Sequence, residues 1–219
     1  EDFVRRWIAF MLQHPGTRPE VAVAFRGDEG TGKGTLARAL MQIAGVHGLT
    51  VSSNEQFAGR FNAHLRNVAF LYADEVKWKD DPAAQGILKQ LVTEPVISYE
   101  AKGKDIVPGR NLVHLMLTSN ERRIVPAGIN ARRFAVFDVR DTHRNDRTYF
   151  GRIADQMEAG GLQAMVHDLS NLDLGDWHPA QHIPRTNALA DQKLQSLDPA
   201  TQYWAQLLDK GELPGVSAS

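Results

Sequence analysis

Residues 27–34 read Gly-Asp-Glu-Gly-Thr-Gly-Lys-Gly, and the segments on either side restrict what this stretch can be. Before it lies Val21-Ala22-Val23-Ala24-Phe25, a continuous apolar run suited to a strand buried on both faces. After it, residues 35–44 (TLARALMQIA) carry helical periodicity and stop at Gly45. Gly27, Gly32 and Lys33 fall at the spacing G-x-x-x-x-G-K. Glycines let consecutive N–H groups turn inward on an anion, and a helix N-terminus adds partial positive charge. Lys33 adds a full one. The stretch Gly27, Asp28, Glu29, Gly30, Thr31, Gly32, Lys33, Gly34 and Thr35 is therefore expected to cradle a nucleoside triphosphate such as ATP. Ser or Thr ordinarily follows the lysine and holds Mg²⁺. Here Gly34 intervenes, so Thr35 becomes the expected hydroxyl ligand.

The rest of the chain repeats the alternation. Phe3, Trp7, Phe10 and Met11 stand at helical spacing in residues 2–13, and Pro15-Gly16 follow as a stop. Helices are expected at 54–65 and, opening on Pro82, at 82–92. Strands are expected at 68–73, 111–118 and 134–139, with an extended segment at 96–101. Lys102-Gly103-Lys104 reads as the tip of a hairpin whose return is Ile106-Val107. This order predicts an α/β domain over 1–146, a mainly parallel five-stranded sheet flanked by helices. Beyond residue 147 the strand signal stops, and helices at 148–159, 161–170 and 199–209 form a helical extension over 147–219.

Charge is unevenly distributed although the net is only −1. Residues 102–147 carry ten Lys/Arg against five Asp/Glu, and residues 148–219 carry four against nine. A basic middle suits an anionic ligand. Cysteine is absent, which removes disulfides and thiolate metal sites and fits a reducing compartment. The eight histidines show no metal-binding spacing. No apolar run approaches bilayer-spanning length and no signal peptide is evident, so a cytoplasmic location and no membrane partner are expected. The chain opens on Glu1 rather than Met, as a domain cut from a longer protein would.

Two acids close the apolar strand 68–73, Asp74 and Glu75. Carboxylates at a buried strand's end need a partner, because an unpaired charge there is costly. Beside a phosphate loop the reason is available: Asp74 can complete a Mg²⁺ shell, and Glu75 can orient and deprotonate an attacking water. Strand 111–118 ends in Thr118-Ser119-Asn120, and an amide there can hold the water or contact the γ-phosphate. Arg132 and Arg133 precede the last strand, and either suits stabilisation of charge developing on a neighbouring subunit's nucleotide.

Four motifs in this order resemble the superfamily 3 helicases, in particular the helicase domain of phage and plasmid primase-helicases, relatives of the poxvirus type. They are G-D-E-G-T-G-K-G at 27–34, F-L-Y-A-D-E at 70–75, L-M-L-T-S-N at 115–120 and A-R-R-F at 131–134. Gly59-Arg60-Phe61-Asn62, Tyr99-Glu100-Ala101-Lys102, Ile183-Pro184-Arg185-Thr186 and Asp191-Gln192-Lys193 are further local matches. The resemblance covers residues 5–145 well and the tail more loosely.

It implies an AAA+-like sheet in which the strand ending at Asn120 lies between those bearing the loop and the acidic pair. It also implies a six-membered ring, an arginine from Arg132 or Arg133 reaching the neighbour's ATP, and a primase or polymerase domain elsewhere in the full-length chain. In this family the hairpin grips single-stranded DNA, and Lys102 and Lys104 occupy its tip here. Lysines bind phosphates without reading sequence, so such a grip is salt-sensitive and nonspecific. The implied activity is ATP-driven DNA translocation or unwinding in phage or prophage replication.

Two other readings compete. Gly32-Lys33-Gly34-Thr35 also fits an adenylate-kinase-like phosphotransferase, and the whole set fits a nucleotide-switched assembly or loading module that does not unwind.

Overall fold

The computed structural model describes residues 2–59, 61–76, 81–125 and 132–210. Arg60 and Ala131, both within the motifs above, lie outside the described residues. The chain begins with α1 (Asp2–Gln13), whose Trp7 indole is buried and donates to the carbonyl of Val21 at 2.9 Å. That bond seats the helix on the start of β1 (Ala22–Arg26). Then come α2 (Lys33–Ala44), β2 (Gly48–Val51), α3 (Asn54–Ala58) and β3 (Phe70–Asp74). Helix α4 (Pro82–Thr93) is capped by Asp81, which accepts from the Ala84 N–H at 2.9 Å, and has proline in its first turn. Strands β4 (Val96–Tyr99), β5 (Val107–Arg110), β6 (His114–Ser119) and β7 (Phe134–Asp138) follow. Helices α5 (Arg147–Gln156), α6 (Leu162–Ser170), α7 (Asn187–Gln195) and α8 (Pro199–Lys210) close the order.

Five strands form one sheet in the order β2-β3-β6-β1-β7, every neighbouring pair parallel. The mainly parallel five-stranded α/β sheet with flanking helices is thus present. So is the expected placing of the strand that ends near Asn120 between the other two. Side chains alternate across it as the pleat requires. Phe70, Tyr72 and Met116 pack with Trp7, Ala37 and Leu40 on one face. Leu71, Ala73, Leu115 and Leu117 pack with Leu88, Leu91 and Leu189 on the other.

Three expectations change. The sheet's fifth strand is β2, a segment not read as a strand; the 96–101 segment instead pairs antiparallel with 107–110 in a separate two-stranded hairpin. The helix expected at 54–65 ends at Ala58. Gly59 turns to an extended backbone (φ −63°, ψ 155°) while its N–H still bonds the Glu55 carbonyl. Only glycine allows that close approach, because a Cβ would stand 2.3 Å from the oxygen. A short 3-10 turn at Ala63–Leu65 replaces its second half. Helix α7 was not expected at all.

The segment beyond residue 147 joins the core. Leu169 and Leu174 are buried in the cluster containing α1, and Ala188 and Leu189 in the cluster on the opposite face. Gln13 donates to the carbonyls of Leu169 and Leu172 at 2.8 and 2.9 Å.

Candidate functional site

Parallel strands bring their C-terminal ends to one rim. Because β6 lies between β1 and β3, the glycine loop after β1, the acids at the end of β3 and Asn120 after β6 become neighbours. The Lys33 ammonium donates to the Gly27 carbonyl at 2.7 Å, the Asp28 carbonyl at 2.8 Å and Asn120 Oδ1 at 2.6 Å. An ammonium carries three protons, so these partners engage them all. Burial lowers the Lys33 pKa, opposed by the nearby charges of Glu75, Asp28 and Asp74. Glu75 adopts a left-handed backbone, φ 55°, which is strained for a side chain of this kind. Its N–H donates to the Thr118 carbonyl at 3.0 Å, and its Oε2 accepts from the Asn120 N–H at 3.2 Å. The turn thereby aims this acid across the strand end at the third motif.

A cavity of about 760 Å³ lies over this rim, bounded among others by Gly32, Lys33, Asp74, Glu75 and Asn120. Asp74 Oδ1 accepts hydrogen bonds from the hydroxyls of Tyr72 and Thr118, both at 2.7 Å. Burial raises the Tyr72 pKa, so this phenol stays a donor. A carboxylate fixed at the wall by two hydroxyls, with Glu75 adjacent, suits a hard divalent cation that draws its other ligands from phosphate and water oxygens.

The Thr35 hydroxyl accepts a hydrogen bond from Arg38 Nη2 at 3.1 Å. A Cβ at Gly34 would stand 3.2 Å from Arg38 Nη1, so a guanidinium occupies the space a Ser or Thr side chain takes in the commoner pattern. A second cation therefore borders the cavity next to the loop.

The loop is clasped from outside. Gly30 and Gly32 have φ of 79° and 89°, open to glycine and strained for other residues. A Cβ at Gly30 would fall 2.0 Å from Asn145 Oδ1, and one at Gly32 2.4 Å from the Phe150 ring. Asn145 N–H also donates to the Gly30 carbonyl at 3.0 Å, and Arg144 pairs with Asp28 at 2.7 Å.

Arg26, at the end of β1, makes a two-pronged pair with Asp138 at 2.6 and 2.9 Å, and Asp191 lies at 3.0 Å. Asp138 is the main cause of a raised Arg26 pKa. Gln192, fully buried, accepts from the Ile124 and Val125 N–H groups at 2.8 and 3.3 Å and donates to the Arg122 carbonyl. Gln192 thus ties α7 to the segment that follows Asn120, and Asp191 ties it to the end of β1.

Arg132 and Arg133 are not part of this cluster. They precede β7, whose Phe134 pairs with Ala22 at the start of β1. The loop follows the other end of β1, a five-residue strand about 17 Å long. Arg132 is exposed, whereas Arg133 is half-buried and its Nε is buried without a hydrogen-bond partner among the described residues.

The hairpin is present where the two lysines placed it. Lys102 and Lys104 are exposed on the connection between β4 and β5, and Gly103 there has φ 72°. Asn62 clasps the root: its Oδ1 accepts from the Glu100 N–H at 2.8 Å and its Nδ2 donates to the Ser98 carbonyl at 3.0 Å.

Several of these contributors were not singled out from sequence. Tyr72 sits two residues before Asp74 on the same strand face, and Arg38 three residues after Thr35 on one helix face; both periodicities were available. Thr118 was quoted only as part of a motif. Arg144, Asn145 and Phe150 left no sequence signal, since only the tertiary fold brings them to the loop.

A fold with these three strand ends on one rim and a lysine-centred glycine loop defines an α/β protein with a candidate anion pocket. One protein similar to it comes from a phage. Residues 25–133 match the family described as "Family of unknown function (DUF5906)". A DNA primase-polymerase of Nitratiruptor phage NrS-1 is 29% identical over 135 residues, 60% of this chain and 19% of that protein. Structures of the NrS-1 C-terminal region superpose with TM-scores of 0.80 and 0.77 at 20% identity, covering 95% and 96% of this chain and 50% of theirs. The chain therefore spans about half of those structures and about a fifth of the curated relative.

Proposed function

We propose that this chain is a P-loop ATPase of AAA+ type that acts as a superfamily 3 DNA helicase or translocase in phage or prophage DNA replication. The observation that carries the reading is the convergence of Lys33, Glu75 and Asn120 on one cavity, with Lys33 Nζ 2.6 Å from Asn120 Oδ1 and Asn120 N 3.2 Å from Glu75 Oε2. In this reading ATP places its β- and γ-phosphates against the loop N–H groups and Lys33, displacing the ammonium from its present acceptors. Asp74 would hold Mg²⁺, whose charge would offset that of the phosphates. Glu75 takes the proton of the attacking water, and Asn120 fixes that water or the γ-phosphate.

The remaining positive charge comes from a second copy. Arg132 is exposed and lies at the sheet end opposite its own loop, so it serves a neighbour's nucleotide in a ring, six-membered by resemblance. Lys102 and Lys104 grip single-stranded DNA by its phosphates. The NrS-1 relative is a primase-polymerase, which supports a replication role and a polymerase or primase domain in the same longer chain.

The test is phosphate release from ATP with and without single-stranded DNA, on wild type and Lys33→Ala, with particle size measured in parallel. Turnover that depends on Lys33 and rises with DNA supports the reading. Phosphate release unaffected by Lys33→Ala overturns the ATPase, and turnover indifferent to DNA overturns translocation.

A further inference from the structure

Arg38 lies four residues after Gly34 on α2, and a helical side chain leans back over the turn that precedes it. Its guanidinium therefore comes to rest against the bare backbone of Gly34. A Cβ at Gly34 would stand 3.2 Å from Arg38 Nη1 and 3.5 Å from the Tyr72 hydroxyl, the same hydroxyl that donates to Asp74. Arg38 borders the cavity together with Lys33 and Asp74. It is exposed, its bond to Thr35 holds it at the start of the helix, and no carboxylate among the described residues pairs with it. That end of a helix carries partial positive charge, which disfavours a cation and favours an anion. A guanidinium drawn back to it and left open to the cavity is a group awaiting an anionic partner.

Resting on the reading of the loop as a triphosphate site, we propose that Arg38 is a second phosphate-binding cation, supplied by the same subunit, which takes over part of the charge neutralisation otherwise left to a metal ion. Position 34 has no hydroxyl to offer a metal, and the Thr35 oxygen already accepts from Arg38. A fixed charge thus stands where the commoner pattern has a metal ligand. Guanidinium N–H groups form a planar fork that fits two phosphate oxygens at once, and the charge is permanent. Any side chain at position 34 would push that fork aside, so Gly34 and Arg38 work as one device. Phosphates held by Lys33 and Arg38 together depend less on Mg²⁺ for binding.

Binding of ATP and of tripolyphosphate to the whole chain is measured by calorimetry, in Mg²⁺ and in EDTA, with Tm recorded to show that each variant is folded. Wild type is expected to bind ATP in EDTA within about tenfold of its affinity in Mg²⁺. Arg38→Ala, and the longer Arg38→Gln, are expected to weaken both probes at least about tenfold in EDTA and about threefold or less in Mg²⁺. Gly34→Ser added to Arg38→Ala is expected to tighten binding in Mg²⁺ and not in EDTA, because it returns a hydroxyl ligand. The proposal is overturned by variants that bind ATP in EDTA as wild type does, by an equal loss with and without the metal, or by a loss for ATP that spares tripolyphosphate. Failure of the underlying reading has a separate signature: Lys33→Ala would then bind tripolyphosphate as well as wild type does.

Discussion

Asn120 Oδ1 accepts a hydrogen bond from the Lys33 ammonium at 2.6 Å, joining the end of one strand to the start of a helix 87 residues earlier. The same residue's N–H is bonded to Glu75, so Asn120 connects the loop's cation to the rim's acid. An amide in this position is both acceptor for one and spacer for the other.

Replacing it with alanine removes a contact made to the reacting phosphate or water in the proposed reaction. Asn120→Ala is expected to lower kcat for ATP about 100-fold, with a smaller change in KM. Steady-state phosphate release measures both. A change confined to KM would mean that Asn120 only helps bind nucleotide.

Gly32 combines a φ of 89° with the Phe150 ring 2.4 Å from where a Cβ would stand. Gly32→Ala therefore suffers backbone strain of about 1–3 kcal/mol, in addition to the displaced ring. A lowered Tm with loss of nucleotide binding is expected, and Phe150→Ala in the same chain should restore only the part due to the ring. Gly16 has open space around it, so Gly16→Ala serves as the control that leaves Tm near wild type.

The hairpin depends on Asn62, which bonds to the backbone of both Ser98 and Glu100. Asn62→Ala leaves those backbone groups without this partner, a local cost of about 0.5–1.5 kcal/mol for each bond. If the hairpin is the DNA grip, stimulation of ATP turnover by single-stranded DNA should fall while turnover without DNA holds. Equal loss of both would instead place Asn62 in support of the nucleotide pocket.

His114 is completely buried at the start of β6, edge-on to Trp7 at 5.9 Å, and burial pulls its pKa from 6.5 down to about 4. The folded state binds its proton less readily than the unfolded chain. The resulting stability is present in full above about pH 6.5 and is lost as pH falls towards about 4, on the order of 3 kcal/mol. Urea melts at about pH 7 and about pH 5 should differ accordingly, and His114→Phe should flatten that slope. An unchanged slope in the variant would assign the acid sensitivity elsewhere.

The glycine loop, the acidic pair and the hairpin tip were legible because each is a local pattern: a spacing, a strand end, a pair of lysines around a turn. Strand β2 was not. It is four residues, Gly48 to Val51, only the last of them buried, at the edge of the sheet, and a half-exposed short strand lacks the apolar run that marks a central one. Helix α7 was obscured for a related reason. It buries Ala188 and Leu189 together with Gln192, so a polar residue occupies one of the inward positions. That residue is polar because its partners are the backbone of Ile124 and Val125, which no local pattern announces. The engagement of Thr35 by Arg38, and the contacts of Asn145 and Phe150 with the loop, likewise depend on residues brought near only by the fold.

A sheet whose strands all point one way is a polar object, with a head and a foot. Gly27 and Asn120 stand at the head of this one, and Arg132 at the foot. Two copies related by a dyad would exchange that arginine only with each other, whereas the proposed ring hands it from each copy to the next. Head-to-foot repetition does so at every step, and it has no natural stopping place except closure on itself.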